Sequence, residues 1–187
     1  KRYGETVNDS DDTIAFFDAI EKGDVAEIEK LLEQGFDVNA RNSKGRAPLV
    51  HAARHSTEVL KRLLCVERID VNIRAAGGTT ALIEASGSSP EGVKALLGKE
   101  GLDIGASDSS GFTALMTACL SGSSEIVKAL LRWKDVGVNR RNVDGNTALM
   151  LAAQYSADAF KEILKVQGVD VNAKNKLGET ALMEAAR

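Results

Sequence analysis

The sequence predicts an all-α protein, an α-solenoid of stacked helix-turn-helix units with short β-turn tips. Three recurring features point to it. A glycine returns at positions 45, 78, 111, 145 and 178, at steps of 33, 33, 34 and 33 residues. Similar segments follow each one: Gly45 leads to Pro48-Leu49 and Ala52-Ala53, Gly78 to Thr80, Ala81-Leu82 and Ala85-Ser86, and Gly111 to Thr113, Ala114-Leu115 and Ala118-Cys119. Gly145 leads to Thr147, Ala148-Leu149 and Ala152-Ala153, and Gly178 to Thr180, Ala181-Leu182 and Ala185-Ala186. A second marker keeps the same step at Asp37-Val38-Asn39, Asp70-Val71-Asn72, Gly137-Val138-Asn139 and Asp170-Val171-Asn172, with its missing member at Asp103-Ile104-Gly105. Finally, an apolar pair precedes each marker: Leu31-Leu32, Leu63-Leu64, Leu96-Leu97, Leu130-Leu131 and Ile163-Leu164. A fixed period of this length means that one supersecondary unit is stacked on copies of itself, each touching only its neighbours.

The elements follow in order. Residues 1–12 read as a flexible leader, and residues 13–187 as the repeat domain. Ser10, Asp11 and Asp12 are N-cap types ahead of the apolar run that starts at Thr13, and acids there suit the positive helix end. The first unit, 13–41, runs as two helices broken at Gly23-Asp24. Ile14, Phe17 and Ile20 share one face of its first helix; Val25, Ile28, Leu31 and Leu32 share one face of its second. It opens directly on a helix and carries charge where later units are apolar, which marks an N-terminal cap. Units at 42–74, 75–107, 108–141 and 142–174, and the start of another at 175–187, each open with the glycine turn. A short helix then runs through the Ala-Leu…Ala segment, and a second ends at the apolar pair. Pro90 fits the first position of a helix, where a missing N–H costs nothing. The unit 75–107 reads as the weakest: Ala75-Ala76-Gly77-Gly78 lacks an Asp or Asn at the turn, and Gly87, Gly92, Gly98 and Gly101 loosen its helices.

The combined pattern, Gly-x-Thr-x-Leu-x-x-Ala-Ala, then Leu-Leu, then Asp-Val-Asn, resembles the ankyrin repeat over nearly all of residues 13–187. The departures are informative. The family's Thr-Pro-Leu-His appears as Ala47-Pro48-Leu49-Val50 and then as Thr-Ala-Leu followed by Ile83, Met116, Met150 and Met183. An apolar residue thus replaces the histidine that links neighbouring repeats in the family, and packing is expected to take over. Loops at Arg54-His55-Ser56, Gly87-Ser88-Ser89-Pro90 and Tyr155-Ser156-Ala157 look one residue short. The chain has no initiator Met and stops inside a first helix, so it reads as a piece of a longer protein.

Composition excludes several functions. A net charge of −3 does not point to nucleic acid. No apolar run is long enough to insert in a membrane. Cys65 and Cys119 read as small buried hydrophobes in a reducing compartment, so an intracellular, cytoplasmic location is expected. There is no phosphate loop, nucleophile elbow or His-Glu-x-x-His, and no triad can be assembled, so neither a catalytic residue nor a cofactor is expected. His51 and His55 have a spacing that could serve a metal on a helix, but no Cys, His or acid lies at a supporting spacing along the chain. They read as polar residues near a helix end, and no metal is expected. Trp133, beside the single-residue insertion, either packs on the longer loop or offers a partner an anchor. Arg132, Lys134, Arg140 and Arg141 read as a solvated loop face.

The resemblance implies a protein-interaction module without catalysis, a monomer whose protein partner meets the concave side built from turn tips and first helices. Carried over position by position, the contact residues are Lys44, Arg46, His51, Arg54, Phe112, Thr117, Asn146, Leu151, Gln154 and Tyr155. The early part is basic and Phe112, Leu151 and Tyr155 are expected to be exposed, which suits a segment acidic opposite the second unit and apolar opposite the fourth and fifth. The resemblance also permits hydroxylation at Asn39, although the expected role of that side chain is to tie down its loop. The alternative is a regulatory or targeting segment of a larger enzyme or pathogen effector whose catalytic domain lies elsewhere. A spacer without a ligand is a further reading.

Overall fold

The computed structural model describes residues 9–186. Among these residues there are α-helices, two 3-10 turns and two isolated bridges at turn bases, but no strand. The helices are α1 (Asp11–Lys22), α2 (Val25–Glu33), α3 (Pro48–His55), α4 (Thr57–Leu63), α5 (Ala81–Ala85), α6 (Pro90–Leu97), α7 (Ala114–Leu120), α8 (Ser124–Leu130), α9 (Ala148–Tyr155), α10 (Ala157–Leu164) and α11 (Ala181–Ala185). The first helices up to α9 pack on their own second helices, and neighbouring first helices pack on one another: α1, α3, α5, α7, α9 and α11 form one row, and α2, α4, α6, α8 and α10 the other. The expected all-α solenoid is what the chain forms.

The first helix starts within the segment 1–12 expected to be a leader. Residues 1–8 lie outside the described residues, but α1 already starts at Asp11, capped by Ser10 Oγ, which accepts from Thr13 N. Asp9 reaches the next turn, accepting from Ser43 Oγ at 3.0 Å. The buried face of α1 also differs. Phe16, Phe17 and Ile20 are buried while Ile14 is 57% exposed, because Phe16 stacks on Phe36 with centroids 4.1 Å apart and so fixes the helix rotation.

Capping explains where the other helices begin. Thr80, Thr113, Thr147 and Thr180 each accept from a backbone N–H one turn ahead. Pro48 starts α3 with no side-chain cap, and Ser89 caps α6 with Pro90 at its first position. The short loops work because one serine serves two helices. Ser56 donates its N–H to Ala52 O, closing α3, while its Oγ accepts from Val59 N, opening α4. Ser156 does the same between α9 and α10. The apolar residues at the family's histidine position are buried at Val50, Ile83, Met116 and Met150, within one continuous core, whereas Met183 is exposed because no described repeat stacks after it.

Neighbouring turns are stitched at their tips: Ala76 N donates to Gly45 O, Ser109 N to Gly77 O, Val143 N to Ser110 O and Lys176 N to Asp144 O. Within four turns a side-chain oxygen takes two backbone N–H groups, as Asn42 does from Lys44 and Arg46, Asp108 from Ser110 and Phe112, Asn142 from Asp144 and Asn146, and Asn175 from Leu177 and Glu179. Ala75 offers no such acceptor. The guanidinium of Arg74 holds that turn instead, through Gly78 O and Ser107 O. Only Gly92 of the four glycines singled out in this unit lies inside a helix, where the absence of a side chain makes room for Leu60 and Ser89. Gly87, Gly98 and Gly101 lie beyond helix ends and do not loosen α5 or α6. The unit is still the thinnest, since α5 spans five residues where α7 spans seven. Its amides are expected to exchange fastest among the interior repeats by native-state hydrogen exchange; equal protection across repeats would contradict this.

The two cysteines part ways. Cys119 is buried, and desolvation pushes its thiol up to about 12. Cys65, expected to be buried, is exposed. It follows Leu63-Leu64 just as α4 ends, and the chain turns outward there. No described helix is long and apolar enough to cross a membrane.

Candidate functional site

Turn tips and first helices together enclose two clefts on one side of the stack. The larger, about 450 Å³, is lined by Lys44 and Arg46 from a turn, His51, Arg54 and His55 from α3, Glu21 from α1, and Thr79 and Glu84 from the following repeat. Lys44, Arg46 and Arg54 are exposed as expected. Their charge is partly balanced, since Arg46 Nη1 lies 3.8 Å from Glu21 Oε1 and Arg54 Nη1 lies 3.9 Å from Glu84 Oε2. His51 is not an open contact residue. It is 7% exposed, its Nε2 is 3.0 Å from Glu21 Oε1, and its ring lies against Phe17. Burial holds the imidazole below its ordinary pKa, and the Glu21 hydrogen bond opposes that only in part.

The smaller cleft, about 190 Å³, is lined by Asn146, Met150, Leu151, Gln154, Asn175, Leu177, Glu179 and Glu184. Asn146 Oδ1 accepts from Asn175 Nδ2 at 3.0 Å, and Gln154 Nε2 donates to Glu184 Oε2 at 3.3 Å. Gln154 and Tyr155 are exposed, Tyr155 to 55%. Leu151 corrects the expectation of an apolar contact, for it is 6% exposed and part of the core. The cause is crowding: α9 is packed by α7, α10 and α11, so mainly its C-terminal end reaches solvent. Phe112 is half-buried and packs against the core, and Thr117 is half-buried with its Oγ1 donating to Thr113 O. Exposed apolar side chains on this side include Leu120, Val143, Tyr155, Leu177 and Met183.

The sequence-predicted residues thus fall into two clefts rather than one strip, with Phe112, Thr117 and Tyr155 lining neither. Glu21 was missed. No spacing rule reaches it, because it comes from a neighbouring repeat 30 residues before His51.

Asn39 lies elsewhere, between second-helix loops. Its Nδ2 donates to Arg68 O at 2.8 Å and its Oδ1 accepts from Asp70 N at 2.9 Å. Asn72 bonds to Gly101 O and Asp103 N in the same way, and Asn139 to Gly168 O and Asp170 N. These amides tie consecutive loops together. Trp133 is 43% exposed and lines a shallow groove with Leu97, Leu102 and Ile104. In the nearby basic cluster, Arg141 donates to Lys174 O at 2.8 Å and so has a structural role.

A family model for ankyrin repeats (three copies) matches residues 16–108, 58–140 and 88–175 in overlapping placements. No curated protein sequence matches the chain. Among solved structures 509 chains match, so the architecture is shared too widely to select a partner by itself. One belongs to the complex of the Bd0816 predatory endopeptidase from Bdellovibrio bacteriovorus with immunity protein Bd3460. It is 30% identical, with a TM-score of 0.77, over 92% of this chain and 90% of that one. With the repeat period, the paired helix rows and the family match in agreement from residue 16 to residue 175, this chain belongs to the ankyrin repeat family.

Proposed function

We propose that the chain binds a protein partner across the side on which turn tips and first helices meet, and that it carries no catalysis of its own. Ankyrin repeats are protein-interaction modules. The observation that carries the placement is the pair of clefts, each bounded by a turn on one wall and first-helix side chains on the other. Lys44, Arg46 and Arg54 give the early cleft a cationic rim suited to acidic partner groups, while Tyr155 and Val143 supply apolar contact further along. The likeness to a chain of an endopeptidase–immunity complex supports a specific form of this reading, in which the partner is a folded enzyme that the chain restrains.

The test is affinity capture with the whole chain from its native host, followed by binding kinetics with the captured protein. Lys44→Glu combined with Tyr155→Ala is expected to weaken binding about tenfold or more, with slower association and a flatter salt dependence. Both side chains are exposed, so circular dichroism should stay native. Unchanged kinetics would place the interface elsewhere.

A further inference from the structure

His51 and His55 lie one helical turn apart on α3, and Glu21 reaches them from α1. One imidazole nitrogen from each histidine and one Glu21 carboxylate oxygen all lie within 4.8 Å of one another. The two rings have their centroids 4.3 Å apart. Among the described residues this is the one such grouping of three or more His, Cys, Asp or Glu side chains. It sits in the wall of the larger cleft, so a bound ion would be reachable from solvent.

We propose that Glu21, His51 and His55 form a binding site for a divalent transition-metal ion, with Zn²⁺ the best match. Two imidazoles and one carboxylate are a donor set that zinc takes in sites with an open fourth position. The same set is poor for Mg²⁺ and Ca²⁺, which take oxygen ligands. The geometry needs little change. Around a tetrahedral ion with bonds of about 2.0–2.1 Å, donor atoms lie about 3.3 Å apart. Glu21 Oε1 and His51 Nε2 are already 3.0 Å apart. Burial against Phe17 fixes the His51 ring, so it acts as the anchor. Glu21 and His55 are exposed, and rotamer changes at those two can close the set. The ion replaces the hydrogen bond between Glu21 and His51, with the imidazole proton held on Nδ1. A water, or a partner's side chain, can fill the position facing the cleft. Arg46, 3.8 Å from Glu21, competes for the carboxylate and repels the ion.

The experiment uses the whole chain without a polyhistidine tag, stripped by chelator, and titrated calorimetrically with Zn²⁺ alone. It does not depend on the partner reading, because no partner is present. One ion per chain is expected. His55→Ala and Glu21→Gln should each weaken binding about tenfold or more, a ligand being worth at least what its supporting hydrogen bonds are. Arg46→Ala should tighten it. Co²⁺ should give visible absorption bands in the wild type that His55→Ala alters. Both exposed variants should keep their helical circular dichroism. Absence of saturable binding at one equivalent, or weakening in fewer than both ligand variants, would overturn the assignment.

Discussion

Gly111→Ala is expected to lose about 3 kcal/mol of stability, enough to separate the fourth and fifth repeats in a denaturation experiment. Two effects add. Gly111 has a φ of +77°, in the left-handed region, where a residue with a side chain costs about 1–2 kcal/mol. A Cβ there would lie 2.8 Å from Asn142 Cα and 3.2 Å from Arg141 O, both backbone atoms of the next turn. That turn cannot easily retreat. Asn142 Oδ1 holds Asp144 N and Asn146 N, and Val143 N is bonded to Ser110 O at 2.9 Å. Overpacking of a well-set contact adds about 1–3 kcal/mol.

Gly178→Ala is the control. Its φ is +80°, yet nothing lies within 4 Å of the added carbon, so only the backbone term of about 1–2 kcal/mol applies. Stability in a repeat array is the sum of unit terms and nearest-neighbour interfaces. Urea unfolding followed by circular dichroism and by Trp133 fluorescence should therefore show the larger loss in Gly111→Ala, with the two signals no longer coincident. Equal losses in the two variants would show that the contact with the next turn contributes nothing.

The sequence revealed most of the scaffold, because the repeat period states the local physics five times over. Thr113 and Thr147 announce helix starts, Pro90 announces another, and the Leu-Leu pairs mark buried second-helix ends. Side-chain exposure was harder to read. Leu151 stands between the core residues Met150 and Ala152, and Ile14 two residues before the buried Phe16, so a small helix rotation decides which side chain is covered. Phe16 stacking on Phe36 turns Ile14 outward, and the crowding of α9 turns Leu151 inward. Contacts between repeats were the least legible. Glu21 meets His51 only because α1 and α3 stack, and Arg74 braces a turn without a side-chain acceptor by donating to backbone carbonyls of that turn and the next. A period predicts that neighbours touch without saying which polar atoms do so.

Restoring the marker asparagine at position 105 tests that distinction. By pattern, Gly105→Asn repairs a consensus position, a kind of change that commonly adds about 0.5–2 kcal/mol. The structure predicts a loss of about 2 kcal/mol instead. A Cβ at 105 would meet Asp135 O at 2.8 Å, with the Arg140 guanidinium 3.5 Å away. Asp135 is there because the fourth repeat carries one extra residue, folded into a 3-10 turn at Lys134–Val136. Val136 anchors that turn at 4% exposure, so the backbone oxygen cannot withdraw without exposing a core side chain. The longer loop and the missing asparagine are therefore one adaptation: the loop fills the space from which Asn39 and Asn72 reach their neighbours. Gly105→Ala separates the causes, since it adds the Cβ without the amide. Both variants should unfold at lower urea than the wild type and by similar amounts. A stabilised Gly105→Asn would show that the turn yields, and that the bond from asparagine to the next loop outweighs the displaced backbone.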